Sequence, residues 1–323
     1  MASCFGRQRA VGRADSGVRR TRFGRVAKVA VLAIGVAVSS SGCSTAEALR
    51  FGWPIGVTPQ AEEMRQLWTN LAVASLVVGA IVWGLTAWTV AFHRKRGEGE
   101  VPKQFQYSLP VEVISVVLPT IIVAIIFAYT VVVQNDVDKN VAKPDVKIAV
   151  TAFQWNWRFD YTDNSTGKPI STLGTSETIP LLVLPTDRSV EFTLTSTDVI
   201  HSFFVPEFLF KRDVFPMPDK NDTDKTFVID KIEKEGAFVG RCAELCGAYH
   251  SAMNFEVRAL KPQLYDQYLK LRLQNNAVTG VPNTAGEALA ALNCGQWCAP
   301  EAITTYPFQT KRTDRAASVR PVS

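Results

Sequence analysis

Two stretches without a charge constrain this chain more than any other feature. No Asp, Glu, Lys or Arg lies between Arg65 and His93, and none occurs over residues 113–133. A bilayer's hydrocarbon core takes about 20 apolar residues of helix. Residues 67–92 are long enough to cross with some tilt, and a second span is expected over residues 113–133. Helices are expected because hydrocarbon leaves no partner for an unpaired backbone group, and Pro119 is tolerated there. Trp68 and Trp88 stand near the two ends of the first span, as interfacial aromatics do. Two spans in a chain that is 47% hydrophobic and 20% charged exclude a multi-span transporter. The connection carries His93-Arg94-Lys95-Arg96 and Lys103, whereas the other flanks carry Glu62, Glu63, Asp136 and Asp138. This bias puts residues 93–110 in the cytoplasm and both flanks outside, in a transmembrane hairpin over residues 67–133.

The N-terminus reads as a targeting segment. A basic stretch ends at Lys28, an apolar run follows over residues 29–38, and Ser39-Ser40-Ser41-Gly42-Cys43 comes next. The run is too short to span a bilayer. A small residue before a Cys just after such a run resembles a bacterial lipobox, although Ser40 stands where an aliphatic residue is usual. Residues 1–42 are therefore expected to be a signal peptide, with Cys43 acylated as the new N-terminus of an outer segment over residues 43–66. Ordinary cleavage nearby would leave Cys43 as a spare thiol. Eight of the basic residues against one acid, Asp15, give this segment +7, so the formal +5 of the whole chain leaves about −2 for the rest. The high pI thus belongs to the targeting segment, and nucleic acid is not an expected partner.

Residues 134–276 carry a different pattern. Residues 147–150, 188–194, 227–229, 237–240 and 255–258 are short alternating or β-branched runs, separated by turn-rich pieces such as Asp163-Asn164-Ser165-Thr166-Gly167. They suggest an all-β sandwich or Greek-key barrel. A helix is expected from Pro262 to Asn275, with the proline in its first turn. Residues 277–323 show little periodicity and are expected to form an irregular tail. No internal repeats are expected.

The chemistry concentrates in one loop. The chain has three histidines. His201 lies in Asp198-Val199-Ile200-His201-Ser202, and His250 closes a cluster with Cys242, Cys246 and Met253. Two thiols, an imidazole and a thioether thus fall within twelve residues, and the Cys-x3-Cys-x3-His-x2-Met spacing fits a single loop round a metal. Soft sulfur with imidazole suits copper, or zinc in a closed tetrahedral site. A Cys242–Cys246 disulfide is the third reading, but it leaves His250 and Met253 without a role. Zinc has no use for Met253.

This loop resembles the binuclear copper loop, called CuA, of cytochrome c oxidase subunit II. The resemblance extends over roughly residues 60–270. It includes the helical hairpin, Leu109-Pro110-Val111-Glu112-Val113, Gln154-Trp155-Asn156-Trp157-Arg158-Phe159-Asp160-Tyr161 and residues 198–206. It implies two transmembrane α-helices plus an extracytoplasmic cupredoxin-like Greek-key domain. It also implies two copper ions bridged by Cys242 and Cys246, with His201 and His250 as imidazole ligands. Met253 and the Glu244 carbonyl would complete the ligation. The Glu244 side chain would bind magnesium at the boundary with subunit I, Trp155 would receive the electron, and Glu112 would stand at the mouth of a proton channel. Read without the resemblance, Glu112 is an ordinary helix-start acid and the aromatic run is core packing.

The implied role is that of subunit II in a proton-pumping cytochrome c oxidase of a bacterial plasma membrane. The donor would be cytochrome c, or a cytochrome c domain of a cytochrome bc complex. Oxygen reduction and the haems would belong to subunit I, and subunit III would be a further partner. Phe215-Pro216-Met217-Pro218 replaces a Pro-Gly-Arg stretch common in the family. Cys294-Gly295-Gln296-Trp297-Cys298 has no counterpart in the common pattern and is expected to form a disulfide that pins the tail, with a second metal site as the alternative; no His or Met follows it closely. The lipobox and residues 207–213 look similar to actinobacterial members. A quinol oxidase subunit II would lack the copper ligands. A thioredoxin-like copper-delivery protein would show a βαβ pattern around its cysteines, and a structural scaffold would leave Met253 and Trp155 without purpose.

Overall fold

A computed structural model describes residues 50, 52–94, 104–162, 168–221 and 224–304. The expected signal peptide, Cys43, residues 95–103 of the connection, the turn over residues 163–167 and the tail beyond residue 304 lie outside the described residues. The chain falls into two units, residues 1–52 and 53–323. All helices and strands of the described residues belong to the second.

Helix α1 runs Pro59–Phe92 and α2 runs Leu109–Val137. Each begins before the uncharged stretch it contains. The Thr58 hydroxyl accepts the Ala61 N–H at 3.1 Å, and Pro59 takes the first helical position, where a missing N–H costs nothing. Pro119 sits inside α2 without ending it. Both helices are long and apolar enough to cross a membrane, and little of either is buried within the chain. Trp83, for instance, is 76% exposed. So large an apolar surface requires lipid or partner helices, and the pair fits a membrane protein with an extracytoplasmic domain.

Ten strands follow among the described residues, in two sheets of five. They are β1 (Val146–Phe153), β2 (Asn156–Tyr161), β3 (Ile170–Leu173), β4 (Leu181–Pro185) and β5 (Val190–Ser196). Then come β6 (His201–Val205), β7 (Phe210–Val214), β8 (Thr226–Ile229), β9 (Gly236–Cys242) and β10 (Asn254–Leu260). Each of the five runs singled out in the sequence contributes to one of these strands. The sheet orders are β3-β2-β1-β5-β8 and β4-β10-β9-β6-β7. Pairing is parallel for β1 with β5 and for β4 with β10, and otherwise antiparallel. The two sheets form a cupredoxin-like sandwich. Trp157, Phe159, Phe192, Phe203 and Phe255 are buried in its core. Trp157 stands edge-on to Phe203 and Phe255 at 6.0 and 5.3 Å, the geometry that ring quadrupoles favour.

The sandwich is seated on the helix ends. The Val57 N–H donates to the Glu207 carbonyl at 3.0 Å, and the Glu233 N–H donates to the Val57 carbonyl at 2.8 Å. Arg212 bridges Asp138, at the end of α2, and Asp224, each at 2.9 Å.

The end of the chain differs from the irregular tail expected after residue 276. Helix α3 (Pro262–Arg272) is followed by α4 (Ala285–Leu292) and a 3-10 turn, Gly295–Cys298. A reciprocal cap starts α4: the Glu287 N–H donates to the Thr284 hydroxyl, and the Thr284 N–H to the Glu287 carboxylate. Eight residues are too few for a periodic signal, so only the cap marked this helix. The tail then doubles back so closely that a Cβ on Gly286 would lie 2.4 Å from the Pro300 carbonyl oxygen.

This tail covers the outer face of β10, where Glu256 and Arg258 are completely buried. Arg258 donates to Glu256 at 2.5 Å and to the carbonyls of Trp297, Ala299 and Glu301 at 2.8, 3.0 and 2.5 Å. The second Glu256 oxygen accepts the N–H groups of Ile303 and Thr304 at 2.8 and 2.7 Å. Each guanidinium nitrogen and both carboxylate oxygens of the pair thus have a partner, which is the condition for burying charge.

Candidate metal centre

Strand register builds the centre. Phe203 pairs with Cys242, and Arg241 pairs with Asn254. The start of β6, the end of β9 and the start of β10 therefore meet at one end of the second sheet. His201 opens β6, Cys242 closes β9, and residues 243–253 return the chain to β10. The β1–β2 turn, with Gln154 and Trp155, lies against the same loop.

The loop is fixed at both ends. The Cys242 N–H donates to the Met253 carbonyl, and the Ala243 N–H to the Ser202 carbonyl, each at 3.0 Å. The buried Trp157 indole also donates to the Met253 carbonyl, at 3.3 Å. Within this frame the Cys242 and Cys246 sulfurs lie 3.8 Å apart, both buried and both free. A disulfide needs about 2.05 Å. The His201 Nδ1 lies 3.8 Å from the Cys242 sulfur, and the His250 Nδ1 lies 3.5 Å from the Cys246 sulfur. The Met253 sulfur, fully buried, is 3.8 Å from that of Cys246, and the Glu244 carbonyl is 3.2 Å from that of Cys242. The ligand atoms of His201, Cys242 and Cys246 all fall within 4.8 Å of one another.

Two thiols and two imidazoles are the four strong ligands of a closed zinc site, but zinc has no use for the thioether and carbonyl that stand beside them. Soft sulfur with imidazole, plus weak outlying donors, is the selection copper makes.

Electrostatics divide the two thiols. Burial opposes ionisation of Cys242, but hydrogen bonds from its surroundings, that of His201 foremost, outweigh burial and bring its pKa down to about 7. Burial, reinforced by the neighbouring Cys242 charge, pushes Cys246 up to about 12. For His201 burial favours the neutral ring, yet its bonds to Cys242 and Asp198 prevail and raise its pKa. The Asp198 carboxylate accepts from the His201 Nε2 at 2.8 Å, which leaves Nδ1 aimed at the sulfurs. Asp198 also accepts the Gln154 N–H at 2.7 Å. Sequence reasoning assigned Asp198, Gln154 and Trp157 no role. The one available signal was their place within three residues of His201 or Trp155.

Trp155 lies beside the loop. Its indole N–H donates to the Cys246 carbonyl at 3.1 Å, and its ring meets Tyr249 edge-on at 4.9 Å. Glu244 is half-buried. Glu112 is far from it, in the first turn of α2, where its carboxylate accepts the Ser108 N–H at 3.0 Å. Cys294 and Cys298 are joined in a disulfide under β10, away from the loop.

Comparison with known proteins bears on this arrangement. The family model "Cytochrome C oxidase subunit II, periplasmic domain" matches residues 146–260. A probable cytochrome c oxidase subunit 2 of Nocardia farcinica is 44% identical, over 93% of this chain and 92% of that protein. Cytochrome c oxidase subunit 2 of Mycobacterium tuberculosis is 42% identical, over 87% of this chain and 88% of that protein. The crystal structure of the periplasmic domain of subunit II of cytochrome oxidase from Bradyrhizobium japonicum aligns at 28% identity, covering 41% of this chain and 95% of that one, with a TM-score of 0.34.

Proposed function

The chain belongs to the cytochrome c oxidase subunit II family and is thus a component of a haem–copper oxidase complex; from that premise we propose that it is the electron-accepting subunit, holding two copper ions in the loop over residues 242–253. The observation that carries this reading is the pair of free, buried sulfurs 3.8 Å apart, each with its own imidazole nitrogen at 3.8 or 3.5 Å. Cys242 and Cys246 would bridge, His201 and His250 would each ligate one ion, and Met253 with the Glu244 carbonyl would be the weak ligands. When bound, such a pair supplies a one-electron carrier whose charge is shared between two metals.

The chain's own groups prepare that carrier. Asp198 fixes the tautomer and direction of His201. The sandwich core under Met253 excludes water. Trp155 is the point of electron entry from cytochrome c or a cytochrome c domain of a cytochrome bc complex. The haems of subunit I would take the electrons onward, and oxygen reduction and proton pumping would belong to that subunit. Subunit III completes the partners. The Glu244 side chain is the magnesium ligand toward subunit I, and Glu112, held at the head of α2 by Ser108, is the proton-channel mouth. The two helices cross the bacterial plasma membrane with residues 93–110 inside.

Cys43 carries a lipid in this reading. Trp53 packs edge-on against Trp68 at 5.5 Å, at the head of the first span.

The decisive experiment is purification of the full chain from copper-replete cells, with metal analysis and electron paramagnetic resonance. Two coppers per chain and one unpaired electron shared between them are expected. One copper per chain, zinc, or no metal rejects the reading. Intact-mass analysis of the N-terminus tests the lipid independently.

A further inference from the structure

Gln154 does more than occupy a turn. Its side-chain amide donates to the Cys246 carbonyl at 2.7 Å, the same oxygen that accepts the Trp155 indole N–H at 3.1 Å. A carbonyl has two lone pairs, so both bonds can form at once. The backbone N–H of Gln154 is meanwhile held by Asp198, the carboxylate that orients His201. Both ends of Gln154 are thus tied to the metal centre.

Gly247 makes the double contact possible. Its φ of +119° suits glycine alone. A Cβ there would lie 3.2 Å from the indole nitrogen and 3.3 Å from the Gln154 amide nitrogen. The loop backbone therefore offers the Cys246 carbonyl to two donors that sit side by side over a residue without a side chain.

We propose that Gln154 is a positioning residue for electron entry, bracing the Trp155 indole on the Cys246 carbonyl so that the ring stays bonded to a bridging cysteine. The proposal rests on the reading of Trp155 as the entry point. In that step the donor's ferrous haem loses one electron and the metal centre gains it, with no proton transferred. Gln154 itself carries no charge and neither gains nor loses an electron. Removing its amide takes about one net hydrogen bond from the Cys246 carbonyl, so the orientation of the oxygen on which the indole sits is held less firmly by about two- to tenfold.

The test uses the full chain in detergent and in the assembled oxidase, with Gln154→Leu, Gln154→Met and Trp155→Phe. In the copper-free chain carrying 5-fluorotryptophan, one fluorine resonance, assigned by its loss in Trp155→Phe, should shift and broaden in both Gln154 variants. Copper content and the resonance spectrum of the loaded protein should match the parent. Reduction by cytochrome c should slow by up to about tenfold, while reduction by a small ruthenium ammine should not change. An unmoved fluorine signal, or an unchanged rate with cytochrome c while Trp155→Phe slows it, overturns the role of Gln154 and leaves Trp155 as the entry point. If Trp155→Phe is also as fast as the parent, the entry reading fails and takes the proposal with it. Loss of copper in both Gln154 variants would assign the residue to metal retention and overturn the positioning role.

Discussion

Cys242–Cys246 and Cys294–Cys298 have the same spacing and opposite chemistry. The first pair stays open with its sulfurs 3.8 Å apart, whereas the second is bonded, its Cα atoms 5.3 Å apart. Spacing cannot explain this, so the neighbours must. Cys242 terminates a strand pinned on both sides, and the three residues after it turn the Glu244 carbonyl toward its sulfur. An imidazole and a thioether stand against Cys246. In the tail, Gly295 adopts φ +80° and opens a 3-10 turn that folds one cysteine back on the other. Of the three histidines in the chain, His201 and His250 are committed to the loop and His93 ends α1, so the tail has no imidazole to offer a metal. Between sulfurs, a held-open geometry leaves both thiols free beside other donors, and a free turn makes a cross-link.

The largest expected effect separates the two pairs outright. Cys246→Ser removes one bridging sulfur, and the loop should lose its two-copper signature and bind one ion or none. Metal analysis with paramagnetic resonance reads this directly. Two coppers with the parent spectrum would mean that Cys246 is no bridge.

The next effect concerns what holds the tail. Arg258→Met leaves Glu256 charged and buried, with three carbonyls unsatisfied. Breaking a buried pair in this way costs about 3–5 kcal/mol. Denaturant unfolding of the copper-free chain should show it, and proteolysis after residue 290 should accelerate, while copper capacity persists. A loss below about 1 kcal/mol would show that the tail is held by its disulfide and apolar contacts instead.

These outcomes also mark what the sequence could reveal. The gathering of Cys242, Cys246, His250 and Met253 was legible because these residue types recur at close spacing in one loop. The distant His201 was legible because the chain has so few histidines to choose from. Val146, Ile148, Val150 and Ala152 alternate as a half-buried strand must, and β1 follows them. Glu256 and Arg258 alternate with Phe255 and Val257 too, and alternation alone does not announce a cover over the polar face. Their cover comes from residues some 40 positions later, which no local pattern encodes. Helix α1 begins eight residues before the expected span, because Thr58-Pro59 is a start signal independent of hydrophobicity. The braces on the loop, from Asp198, Gln154 and Trp157, depend on how two sheets meet, and that is a tertiary fact.

Opening the tail cross-link should matter less than breaking its ion pair. The double substitution Cys294→Ser with Cys298→Ser frees a five-residue loop, and loop-closure entropy puts the cost at about 2 kcal/mol. Copper content should stay at two per chain, because the contacts of the ligand atoms run among β6, β9 and the loop over residues 242–253. If copper were lost instead, the tail pair would contribute to loading or holding the metal, and the contrast between the pairs would fail.

The smallest structural effect is the most informative about why the loop stays open. Met253 supplies the third sulfur, 3.8 Å from Cys246 and fully buried, and the tail has no equivalent. Met253→Leu keeps volume and burial, so the fold should lose less than about 1.5 kcal/mol. The strong ligands are untouched, and both coppers should remain. A weak axial donor tunes a copper centre more than it anchors it. The reduction potential should therefore move while stoichiometry does not, as redox titration of the loaded chain would record. A shifted potential with two coppers makes the thioether a ligand. An unmoved potential makes it packing, and the open geometry then rests on the two thiols, two imidazoles and one carbonyl alone.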